Sequence, residues 1–130
     1  MSLVYVVIGL ALLQYLFFGA SVGWARGKYG VKAPATTGHE GFERHYRVQM
    51  NTLELLIVYV PATLLCAQYA GIRTAAILAA IYVVGRFVYF FAYVKDPAKR
   101  GLGFLMSYLP IAALLVLGVG GAAKAVLTGN

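Results

Sequence analysis

Arg44, Arg47, Asn51 and Glu54 recur at steps of three, four and three residues, a spacing that places them on one face of a helix. Polar groups in that arrangement can grip an anion. The stripe lies within the segment Gly41-Phe42-Glu43-Arg44-His45-Tyr46-Arg47-Val48-Gln49-Met50-Asn51-Thr52-Leu53-Glu54, at the mouth of a long apolar run. A second set follows at helical steps: Tyr82, Arg86, Tyr89 and Tyr93. A charged side chain near a bilayer centre costs roughly 2.5–3.5 kcal/mol on insertion scales, so Glu54 must pair with a cation or line a hydrated cavity. Two readings fit these residues. Arg86 paired to Glu54 or its neighbours would simply tie two helices together, and that is the simpler account of Arg86 and Tyr82. The stripe is richer, because one acid does not neutralise Arg44, Arg47 and Arg86, and either a bound anion or lipid headgroups must supply the balance.

The elements that must position these groups are apolar spans. Hydrophobic residues make up 62% of the 130-residue chain and charged ones 12%, which excludes an ordinary soluble domain. The composition predicts an all-α membrane protein, a single domain over residues 1–130 forming a four-transmembrane-helix antiparallel bundle. Its spans cover about 3–24, 42–70, 72–94 and 102–127. The first is too long for a signal-peptide core and lacks a basic leader, so it is expected to stay in the mature protein. Loop one, Ala25 to Gly41, is rich in glycine and polar residues; Gly71 and Arg73 mark a tight turn; Lys95-Asp96-Pro97 ends span three. Pro61 is expected to kink span two, and Gly118, Gly120 and Gly121 to permit close helix approach in span four. Gln14 is a candidate interhelical hydrogen bond.

Eight of the eleven basic residues fall on one side: Arg26, Lys28, Lys32, Arg44 and Arg47 around loop one, and Lys95, Lys99 and Arg100 in loop three. The positive-inside rule assigns that side to the cytoplasm, in a bacterial inner membrane or the endoplasmic reticulum, with both termini outside. This bias explains the net charge of +7 without nucleic acid. The lone Cys66 builds no disulfide framework within one chain, and His39 and His45, six apart, do not share a helical face, so no metal site is expected. Trp24 and the tyrosines near span ends read as interfacial anchors.

On Phe42-Glu43-Arg44-x-Tyr46-Arg47-x-Gln49-x-Asn51-x-x-Glu54, on Arg86-x-x-Tyr89-x-x-x-Tyr93, and on Arg100 seven residues further, the chain resembles the membrane-associated proteins of eicosanoid and glutathione metabolism, the MAPEG family. That family includes leukotriene C synthase and microsomal glutathione transferases. The resemblance implies a homotrimer of four-helix subunits, with one bent glutathione at each subunit interface near the charged membrane face. It implies Arg47, Asn51, Glu54, Tyr89 and Tyr93 as ligands of the peptide, Arg26 and Gln49 contributing from around the pocket, and Arg100 as the thiol activator. The implied activity is conjugation of the thiolate to lipophilic electrophiles, or reduction of lipid hydroperoxides, with glutathione as co-substrate and no metal.

Two positions depart from the leukotriene-forming branch. Gly27 stands where that branch has a second arginine, and Leu55 where it has a tyrosine, which argues for a general detoxifying enzyme over leukotriene synthesis. Two other classes stay open at this stage. A non-catalytic relative would bind and present lipids without conjugation, and a small multidrug exporter would use Glu54 for proton coupling, although such exporters carry little charge bias between sides.

Overall fold

The computed structural model describes residues 1–129. Four long helices account for nearly all of them: α1 Ser2–Tyr29, α2 Glu40–Tyr69, α3 Ile72–Lys95 and α4 Gly101–Thr128, with a short 3-10 helix, Pro97–Lys99, before α4. Each is long and apolar enough to cross a membrane. At about 1.5 Å per residue they outreach a hydrocarbon core of about 30 Å, so their charged ends stand in the interfacial layers.

The helix ends follow local chemistry. α1 runs to Tyr29, five residues past Trp24, and so takes in the start of the loop that the sequence predicts from Ala25. The left-handed residue that stops it is Gly30, at φ 70°, whose N–H returns to the Arg26 carbonyl. Gly27 stays helical, and Arg26 and Lys28 in the last turn complement the helix dipole. α2 starts at Glu40, two residues earlier than expected, because the extended His39 caps it: Nδ1 accepts from Gly41 N–H at 2.9 Å. The α2–α3 turn needs only Ala70 and Gly71, the latter at φ 126°. Asp96 adopts an extended backbone ahead of Pro97 and accepts from the Ala98 N–H.

Side-chain register defines the topology. Ser21 and Gly19 of α1 lie against His45 and Gln49 of α2. Asn51 and Tyr59 of α2 meet Arg86 and Ala79 of α3, and Gly85 of α3 meets Met106 of α4. Consecutive helices therefore run antiparallel. α2 and α3 form the central pair, α1 flanks one side through contacts such as Gln14 Nε2 donating to the Val83 carbonyl (2.8 Å), and α4 flanks the other.

In a bilayer, lipid tails are as apolar as leucine, so close packing and polar ties hold helices together. α4 approaches through glycines: a Cβ at Gly118 would lie 2.7 Å from the Leu65 Cβ, and one at Gly121 2.6 Å from the Tyr69 carbonyl oxygen. Gly120 has open space around it and takes no part in that contact. Large apolar side chains such as Leu13, Ile57, Phe91 and Val116 point outward, the reverse of a soluble protein.

Candidate functional site

α2, α3 and the start of α4 enclose a cavity of about 280 Å³ at the charged end of the bundle. α2 contributes Arg47, Asn51 and Glu54, one helical turn apart, with Met50 between them. α3 contributes Tyr89 and Tyr93, whose rings stack at 5.4 Å. Arg100, at the N-terminus of α4, and Phe104 complete the lining. Two guanidinium groups thus face one carboxylate, with an amide and two phenols between them. Glu54 makes no salt bridge; the ion pair among the described residues is Arg44–Glu40, at 2.8 Å. Arg100 is exposed and tethered only by a 3.5 Å hydrogen bond to the Pro97 carbonyl. The arrangement suits an anionic ligand that also bears an ammonium group.

A second chamber of about 470 Å³ shares Arg47 and Tyr93 with the first and opens toward loop one, past Thr36, Thr37, Glu40 and Glu43. On the bilayer side, Phe104 stacks on Tyr108 at 5.5 Å. Tyr108 belongs to an apolar groove between α2 and α4, lined also by Leu55, Val58, Ile111 and Val116. Charged cavity and apolar groove therefore meet at the Phe104–Tyr108 pair.

Six of the eight residues singled out from sequence line the one cavity: Arg47, Asn51, Glu54, Tyr89, Tyr93 and Arg100. Arg26 and Gln49 do not. Arg26 donates to the Ala35 carbonyl at 2.7 Å and packs over the Phe42 ring, while Gln49 lies against Gly19 on the opposite side of α2. Arg44 leaves the stripe's ligand set, because its guanidinium bonds Glu40 and the Val94 and Lys95 carbonyls, tying α2 to the end of α3. Arg86 is fully buried and pairs with neutral neighbours rather than Glu54: Nη2 donates to Asn51 Oδ1 (2.9 Å) and Thr52 Oγ1 (2.8 Å), and the guanidinium lies 4.3 Å from the Tyr89 ring centroid. Tyr82 sits deeper and stacks on Tyr59 at 4.0 Å.

Met50 and Phe104 were not legible as lining residues, nor was Thr52 as a buried partner of Arg86. Met50 and Phe104 are apolar side chains in apolar spans, and only the Arg47–Glu54 spacing around Met50 hints at its face. His45 is occupied structurally, bonding Ser21 (3.3 Å) and packing between Trp24 and Phe90.

Helix length and composition define an integral membrane protein, with a charged cavity at one end of its bundle. The chain belongs to the MAPEG family, whose model matches residues 3–120. It is similar to an uncharacterized protein of Synechocystis, 44% identical over 85% of this chain and 80% of the relative. Human microsomal glutathione S-transferase 2 is 36% identical over 91% of this chain and 80% of its own length. Leukotriene C4 synthase of Cavia porcellus is 29% identical over 83% and 84%.

Proposed function

We propose that this chain is a membrane-bound glutathione transferase that joins the glutathione thiolate to lipophilic electrophiles. One observation carries the reading: Arg47, Arg100, Asn51, Glu54, Tyr89 and Tyr93 face a single cavity at the charged end of the bundle. Glutathione bears two carboxylates, an ammonium group and a thiol. Arg47 and the neighbouring donors fit a carboxylate, Glu54 fits the ammonium group, and Arg100 stands free for the sulfur. Relatives named microsomal glutathione S-transferase 2 in human, cattle and mouse, at 34–36% identity, support the same activity.

The chemistry follows from charge. A free thiol with a pKa of about 8.5 is only a few per cent ionised near neutral pH. A guanidinium beside the sulfur favours the thiolate and remains protonated throughout. The N-terminus of α4, where Arg100 sits, adds a favourable dipole. The thiolate attacks an electrophilic carbon of a substrate arriving from the bilayer; a carbon–sulfur bond forms and the leaving group departs with the bonding electron pair. With a hydroperoxide, two glutathiones are oxidised to the disulfide while the peroxide becomes alcohol and water. The apolar groove beyond Phe104 offers a lipophilic substrate a path to the sulfur.

Arg26 and Gln49 face away from the cavity of their own subunit, so they join a glutathione site only from an adjacent copy. A homotrimer with the peptide between subunits meets that requirement. The positive-inside rule places the cavity at the cytoplasmic face.

Purified protein is expected to conjugate glutathione to an activated aryl halide, and Arg100→Ala to lose at least about 100-fold in kcat while still binding the peptide. Wild-type protein that binds lipophilic compounds and conjugates none of them would refute the enzyme and favour a lipid-presenting role.

A further inference from the structure

We propose that Arg86 is a positioning residue that sets the polarity of Asn51, turning its amide N–H groups toward the cavity so that this position reads an anionic acceptor such as a peptide carboxylate. The inference rests on the glutathione reading of the cavity and adds to it a residue that touches no ligand.

The argument is one of hydrogen-bond direction. A guanidinium only donates, so the Asn51 atom that meets Arg86 Nη2 at 2.9 Å must be the carbonyl oxygen. An isolated asparagine could present either end of its amide, and the two ends are nearly isosteric. Here the choice is made from below: Oδ1 is held by Arg86 and Nδ2 is left to the cavity that Asn51 lines. The network repeats the same polarity beside it. Thr52 Oγ1 donates to the Val48 carbonyl at 2.7 Å, so its lone pair is what receives the second Nη2 hydrogen of Arg86. Every bond runs outward from Arg86, and none reverses without orphaning a buried group.

Arg86 itself is fixed. It is fully buried between α2 and α3, with Gly85 packed against Met106 of α4 beside it and the Tyr89 ring 4.3 Å from its guanidinium. Its Nε and Nη1 have no hydrogen-bond partner within the chain, and no acid neutralises it, so a helix tie alone does not account for its charge. A methylene chain would tie the helices at less cost. What a buried cation supplies, and an apolar residue does not, is an obligate donor under the Asn51 carbonyl.

The test is a double-mutant cycle read by calorimetric titration of glutathione into the purified protein. Arg86→Gln, whose amide both donates and accepts, is expected to weaken binding about tenfold, and Asn51→Ala by a similar factor. Combined, they should be no more than about twofold worse than either alone, because both remove one contact. At saturating glutathione, kcat of Arg86→Gln should stay within about threefold of wild type, since thiol activation is left to Arg100. Asn51→Asp gives a reading that needs no change at Arg86: its outward oxygen repels a carboxylate, so it should bind glutathione more weakly than Asn51→Ala does. If Arg86→Gln fails to fold, that comparison decides. Multiplying penalties in the cycle, unchanged affinity in Arg86→Gln, or Asn51→Asp binding as well as Asn51→Ala would overturn the inference while the glutathione reading stood. Wild-type protein that binds no glutathione would overturn both.

Discussion

Replacing Gly103 by alanine should damage the cavity although Gly103 itself is not part of its lining. Gly103 of α4 lies against the backbone of Tyr89 of α3, and a Cβ added there would overlap the Tyr89 main chain and stand 2.8 Å from its Cβ. Non-bonded carbons rest at roughly 3.5–4.0 Å, so α4 must retreat by about 1 Å. Overpacking of this kind costs about 1–3 kcal/mol, against which the better helix propensity of alanine returns at most about 1 kcal/mol. The consequence for function is geometric. Tyr89 and Tyr93 stand on one side of this contact, Arg100 and Phe104 on the other, and all four line the cavity. A displacement of about 1 Å at a reacting centre can cost about 100-fold in rate. Gly118→Ala is the comparison, because its Cβ would lie 2.7 Å from the Leu65 Cβ, fifteen residues and about 22 Å further along α4. Both variants should lose thermal stability in detergent. Only Gly103→Ala should lose kcat/KM, by about 10- to 100-fold, while Gly118→Ala stays within about threefold. Gly103→Ala with wild-type kinetics, or equal kinetic losses in the two, would refute the claim that the α3–α4 spacing sets the site.

Further expectations concern single side chains. Arg47→Ala should weaken glutathione binding about 10- to 100-fold by calorimetry, the loss expected when a charge-assisted contact is removed. The conjugation rate of wild type should vary little with pH near neutrality, because the Arg100 guanidinium lowers the glutathione thiol pKa and the thiolate persists at lower pH; in Arg100→Ala the residual rate should rise with pH through about 8.5. Gln14→Leu should change stability by less than about 1 kcal/mol, since it gives up one hydrogen bond to Val83 and also removes a buried Oε1 that has no partner. Glu40→Gln should be nearly silent, within about 0.5 kcal/mol, because Glu40 is 80% exposed in its pair with Arg44.

Much of the architecture was legible because a bilayer demands it: spans of apolar residues, charged loops between them, and proline or glycine at the breaks. The ends were read less well. Loop one was placed too early because Gly27 looks like a turn residue, yet a helix tolerates an exposed glycine and stops only where a left-handed residue and a returning N–H coincide, at Gly30. The same ambiguity hid which glycines matter. Gly118 and Gly121 make close contacts as expected, Gly120 beside them does not, and Gly85 and Gly103, which set the α3–α4 distance, carry no local signal. At the site, helical spacing grouped Arg47, Asn51 and Glu54 because one helix determines their common face. Partners across helices were beyond that logic. Charge alone offered Arg86 either Glu54 or its neighbours, and the fold gives it the neighbours Asn51 and Thr52, while Arg44 spends its charge on Glu40 and on carbonyls at the end of α3.

The central claim is that this cavity binds glutathione and ionises its thiol through Arg100. Ultraviolet difference spectroscopy tests both parts at once, because thiolate absorbs near about 240 nm and thiol hardly does. Glutathione titrated into wild-type protein at neutral pH should give a saturable thiolate signal, and Arg100→Ala, folded and still binding the peptide, should give none. A wild type that binds glutathione without that signal, or an Arg100→Ala that keeps it, would contradict the account.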